Sequence, residues 1–148
     1  MTLTHTGALG GQAGGYLTFT NKGTGTCRMT GWPSVTGVSK SGASAALAHA
    51  QSTMYGAWQY SSPEPVVTLT PGSSAYAVVA ADDNPAGTAS SCPAPYADLR
   101  VTLPGSSTVT TVSAYLPGAD TYLPTCPSVS GKPTDETSDI VPLSSLAH

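Results

Sequence analysis

The sequence predicts an all-β protein, an antiparallel immunoglobulin-like β-sandwich of about eight strands. Three observations predict it. Short segments alternate apolar and polar residues with the period of two of a half-buried strand, as where Leu17 and Phe19 oppose Tyr16, Thr18 and Thr20. Turn residues recur between these segments, and the 16 glycines and 13 prolines act as punctuation instead of gathering in one tract. No long stretch carries the periodicity of a helix. An up-and-down barrel is the alternative arrangement.

Taken in order, residues 1–15 begin with Thr2-Leu3-Thr4 and enter a run holding Gly7, Gly10, Gly11, Gly14 and Gly15. They read as a flexible N-terminal edge strand and a glycine-rich loop. Tyr16–Thr20 is a strand. Asn21-Lys22-Gly23-Thr24-Gly25 is a turn whose Asn and Gly tolerate positive φ, and Thr26–Thr30 is the expected hairpin partner. Gly31-Trp32-Pro33 breaks that pairing, with Trp32 expected to pack beside Cys27. Ser34–Val38 is a brief strand, and alanine-rich Ser41–Ala50 predicts a loop or short helix. Val66–Thr70 and Ala75–Ala81 read as a second hairpin about Pro71-Gly72, which suits a type II turn.

Beyond the loop Asp82–Ser91, the strands Leu99–Leu103 and Thr108–Leu116 flank Pro104-Gly105. Thr121–Cys126 is extended. A polar segment and a last strand near Asp139–Leu143 fill residues 127–148. The expected core is Leu17, Phe19, Met29, Val67, Leu69, Val79, Leu99, Val101, Leu103, Val109 and Val112. One domain accounts for residues 1–148.

Charged residues are 9% of the chain, against about 25% in an average soluble domain. Net charge is −3, and the basic residues Lys22, Arg28, Lys40, Arg100 and Lys132 are dispersed. That argues against nucleic acid and anionic membrane as partners. No apolar run reaches the roughly 20 residues of a membrane span. Low charge, abundant Ser and Thr, and several cysteines suit a secreted or cell-surface protein whose signal segment is absent from this chain.

Catalytic patterns are not found. There is no G-x-S-x-G elbow and no S-x-x-K. His5, His49 and His148 are scattered, and no Cys or His pair has zinc spacing. Asp82-Asp83-Asn84 followed by Gly87 lacks the later carboxylate of a calcium loop. The eight acids fall in predicted loops or strand ends, so no facing pair for glycoside hydrolysis is marked. No catalytic residue, metal ligand or cofactor is predicted. The strongest interaction signal is the cluster Tyr55, Trp58 and Tyr60 beside Gly56, since rigid amphipathic rings on a loop serve binding surfaces.

The expected function is an exported, non-enzymatic protein-binding or adaptor domain whose partner is another extracellular protein. One alternative is a carbohydrate- or cell-wall-binding module using the Tyr55/Trp58/Tyr60 loop. Another is a small secreted enzyme or enzyme inhibitor.

Three motifs occur in sequence. Leu17, Phe19, Thr20 and Asn21 lead to Thr26, Cys27, Met29, Gly31, Trp32, Pro33 and Val35. Thr68, Leu69, Pro71, Gly72, Ser74 and Ala75 form the second. Cys92 and Pro93 precede Leu99, Val101, Pro104 and Gly105 in the third, and Cys126 follows. In this order they resemble an actinobacterial family of secreted and lipid-anchored domains of unknown function. The resemblance implies an immunoglobulin-like sandwich exported to the surface or medium, and it brings no activity with it. Members of that family often carry a further cysteine near the first strand, which this chain lacks.

Cys27, Cys92 and Cys126 allow one intrachain disulfide. With the Asn21–Gly25 turn taken as the upper end, counting strands up and down puts Cys27 at the top and Cys92 and Cys126 at the bottom. The expected bond is Cys92–Cys126, with Cys27 free or paired outside the chain.

Overall fold

The computed structural model describes residues 2–9, 12–49, 66–82, 92–116, 121–126, 136–137 and 141–142. Among them the chain is all-β. The strands are β1 (Thr2–Leu9), β2 (Gln12–Thr20), β3 (Cys27–Thr30), β4 (Ser34–Ser39), β5 (Ser44–Ala46), β6 (Ala48–His49) and β7 (Val66–Leu69). They continue as β8 (Ser74–Asp82), β9 (Tyr96–Thr102), β10 (Thr110–Ser113), β11 (Tyr115–Leu116), β12 (Thr121–Tyr122), β13 (Glu136–Thr137) and β14 (Val141–Pro142).

One sheet runs β1-β2-β8-β13-β6, with β14 also on β8, and a second runs β10-β9-β4-β5. Two small sheets pair β3 with β7 and β11 with β12. Pairing is antiparallel except between β13 and β6. Each path has two ends, so no sheet closes into a barrel among the described residues.

Strands β2, β4, β7, β8 and β9 all contribute to one apolar cluster. Leu17, Phe19, Ala75, Ala77 and Val79 come from β2 and β8, Val35, Leu99 and Val101 from β4 and β9, and Val67 and Leu69 from β7. The period-two reading located Leu17, Phe19, Val67, Leu69, Val79, Leu99 and Val101, because alternation fixes which face is buried. Met29, Leu103 and Val112 are half-buried against the cluster. Val109 departs from expectation at 58% exposed, because it precedes β10 and lies outside the alternating stretch.

Strand pairing differs from the expected hairpins. β2 pairs with β1 and β8, whereas β3 pairs with β7. The Asn21–Gly25 and Pro71-Gly72 turns therefore arch between sheets instead of closing hairpins. Alternation is satisfied by either arrangement, since it specifies faces and leaves the partner at each edge open. The β9–β10 hairpin does form.

The glycine-rich run also departs from a loop. Gly14 and Gly15 lie inside β2, paired with β1 on one edge and with Ala80 and Val79 of β8 on the other. Backbone ladders on both edges need no side chain. Ser41–Ala50 was expected as loop or short helix, yet it supplies β5 and β6, separated by buried Leu47, whose N–H donates to the Val35 carbonyl at 2.9 Å. Tertiary pairing here overrides alanine's helix propensity. Crossings of this kind divide the chain into more and shorter strands than the eight or so expected.

Candidate functional site

The fold has two ends, and each carries a concavity. At the upper end the two arches stand side by side. The Asn21 N–H donates to the Ser73 carbonyl at 2.9 Å, and the Gly72 N–H donates to the Asn21 carbonyl at 2.7 Å. The Asn21 side chain donates to the carbonyls of Gly25 at 2.8 Å and Leu69 at 2.9 Å, and accepts from the Gly23 N–H at 3.0 Å. One asparagine thus orders its own turn and binds it to the neighbouring arch.

Against these arches lies the β9–β10 turn, and between them opens a cleft of about 330 Å³. Its apolar walls are Phe19, Met29, Leu69 and Leu103, with Lys22 and Cys27 also lining it. Cys27 is exposed and carries a free thiol. The cleft arises because β3 and the β9–β10 turn belong to different sheets and do not meet edge to edge at this end.

The lower end holds the disulfide. Cys92 and Cys126 are joined, with Cα atoms 4.6 Å apart, which is the pairing expected from counting strands. The Thr125 hydroxyl donates to the Ala94 carbonyl at 3.0 Å and holds the Pro93–Pro95 segment against the bonded strand. Tyr96 follows at the start of β9, buried, with its ring lying on Gly37. Around Tyr96 are two adjoining hollows between the Ser39–Ala43 turn and the Pro93–Pro95 segment. Sequence reasoning began this strand at Leu99 and missed Tyr96, since two prolines just before it hid the strand's start.

Tyr55, Trp58 and Tyr60, the predicted binding cluster, lie outside the described residues. Trp32 does not pack beside Cys27 as expected. It is 43% exposed and stacks on His49, with ring centroids 3.7 Å apart and planes 11° from parallel. The reason is topological: Trp32 sits where the chain passes from β3 to β4, beside β6. Among the described residues, no group of three His, Cys, Asp or Glu could hold a metal ion. Among the described residues there is no helix long and apolar enough to cross a membrane.

Neither the curated proteins nor the solved structures hold a significant match to this chain. A family model does match it, over residues 1–135. That span takes in both arches, the Cys27 cleft, the disulfide and the Tyr96 hollows, and on it the chain belongs to the family described as Domain of unknown function (DUF4232).

Proposed function

We propose that this chain is an exported, non-enzymatic binding or adaptor domain with an immunoglobulin-like sandwich form, and that it engages another extracellular protein at its Cys27 end. The observation that carries this reading is the exposed Cys27 thiol lining an apolar cleft, in a chain whose other two cysteines are joined. A disulfide suits an oxidising compartment, as does the resemblance to secreted actinobacterial domains. A partner segment would lay apolar side chains against Met29, Phe19 and Leu103. Where that partner brings its own disulfide, the Cys27 thiolate attacks one sulfur and forms the mixed disulfide, while the other sulfur leaves as a thiolate. No external oxidant is required.

A glycan- or cell-wall-binding role is the second reading. The exposed indole of Trp32, steadied by the His49 ring, favours it, because flat aromatic faces suit sugar rings.

The test uses the chain as bait in its native medium. The expected result is an extracellular protein retained through a bond that reductant releases, mapped to Cys27, and lost with Cys27→Ser. Capture that is indifferent both to Cys27→Ser and to Met29→Lys would overturn the reading. Retention on a glycan panel that Trp32→Ala abolishes would favour the second role.

A further inference from the structure

The lower end carries a concavity separate from the Cys27 cleft. Its two hollows, about 290 and 350 Å³, share Ser41, Ala94 and Tyr96 and form one divided cleft. We propose that this cleft binds a small amphipathic carboxylate, with its apolar body on Tyr96 and Tyr122 and its carboxylate at the Lys40 ammonium.

Three features point to that chemistry. The first is the floor. Gly37 has no Cβ, so the Tyr96 ring settles onto the β4 backbone. Tyr122 forms a wall of the larger hollow and is held edge-on by Tyr115, with centroids 5.3 Å apart. Ala94, Pro95 and Ala97 complete an apolar lining.

The second is that three hydroxyls of the smaller hollow, those of Ser39, Ser41 and Thr125, are already engaged. Ser39 and Ser41 hydrogen-bond to each other at 2.9 Å, Ser39 also donates to the Ala43 carbonyl at 3.3 Å, and Thr125 donates to Ala94. A polyhydroxylated ligand would have to compete with these bonds, whereas an apolar body would not.

The third is charge. Among the described residues, Lys40 is the only charged one lining either hollow, and it has no ion-pair partner there. A cation at the rim of an apolar cleft complements a carboxylate attached to an apolar body. The volumes stand at the small end of ligand sites, which commonly span about 300–1,000 Å³, so a small molecule fits better than a folded partner.

This inference is independent of the Cys27 reading, and either stands if the other fails. The test titrates octanoate and octanol into the full chain and follows backbone amide chemical shifts. Saturable shifts are expected at Ser41, Ala94, Ala97 and Tyr122, with octanoate binding about three- to fivefold more tightly than octanol, as one exposed ion pair allows. Lys40→Gln should remove that preference and leave octanol binding unchanged. Ala94→Phe, at an exposed position, should fill the cleft and weaken both ligands. Equal affinity for the two ligands, a preference that survives Lys40→Gln, or shifts confined to the Cys27 end would each overturn the proposal.

Discussion

Gly37 shows how much one missing side chain decides. It is buried on β4, opposite Leu99 of β9. A Cβ added there would overlap three carbon atoms of the Tyr96 ring, nearer than real Cβ atoms approach. The ring cannot yield as a flexible chain end would, because Tyr96 is itself buried and its N–H is tied to the Leu123 carbonyl at 3.1 Å. Gly37→Ala should therefore lower stability by about 1–3 kcal/mol, as overpacking of a tight core does, read as a lower urea midpoint with unchanged slope. Gly25→Ala is the control. Nothing lies within 4 Å of that added Cβ, so its midpoint should stay near that of the wild type. A Gly37→Ala protein as stable as the control would show that the ring does not rest on this glycine.

Among the elements, what the sequence made legible was local. Pro71-Gly72 was expected as the inner pair of a type II turn; the Ser73 N–H donates to the Thr70 carbonyl at 3.0 Å, and Gly72 has a φ of 84°. The Leu103–Ser106 turn repeats this with a 3.1 Å bond and a φ of 77° at Gly105. Strand partners were not legible, because Leu17/Phe19 and Cys27/Met29 alternate equally well in a hairpin or an arch. The candidate binding sites were legible only through Cys27. The Tyr96 cleft joins residues of three separate segments, and no local pattern announces such a meeting. Asn21 was legible as a turn former but not as the tie between arches. Replacing it with Ala removes two donated bonds and one accepted bond, and leaves the half-buried Leu69 carbonyl without that donor. Asn21→Ala should cost about 1–3 kcal/mol. It should also speed amide exchange at Gly23 and Gly72, in both arches. Faster exchange at Gly23 alone would mean that Asn21 orders only its own turn.

At the scale of the whole molecule, the cysteines divide by end. Cys27 opens β3 beside the arches, whereas Cys92 and Cys126 close the opposite end across 34 positions of sequence. A cross-link of that span removes denatured-state entropy worth about 4 kcal/mol in the chain-entropy model, before any native strain is subtracted. Cys27 is exposed and has no bond to lose. Reducing the wild-type chain, or replacing Cys92 and Cys126 together with Ser, should therefore lower the unfolding free energy, obtained from the urea midpoint and slope, by an amount approaching that figure. Cys27→Ser should change stability by less than about 0.5 kcal/mol, as surface substitutions do. The separation of the ends also governs refolding. Thiols that meet only after the sheets assemble should pair as Cys92–Cys126 when the fully reduced chain is oxidised slowly without denaturant. In strong denaturant, where the ends are not held apart, bonds to Cys27 should appear as well. Non-reducing peptide mapping of both products checks this. A Cys27-linked peptide dominating the product formed without denaturant would show that the fold does not hold Cys27 away from the other two.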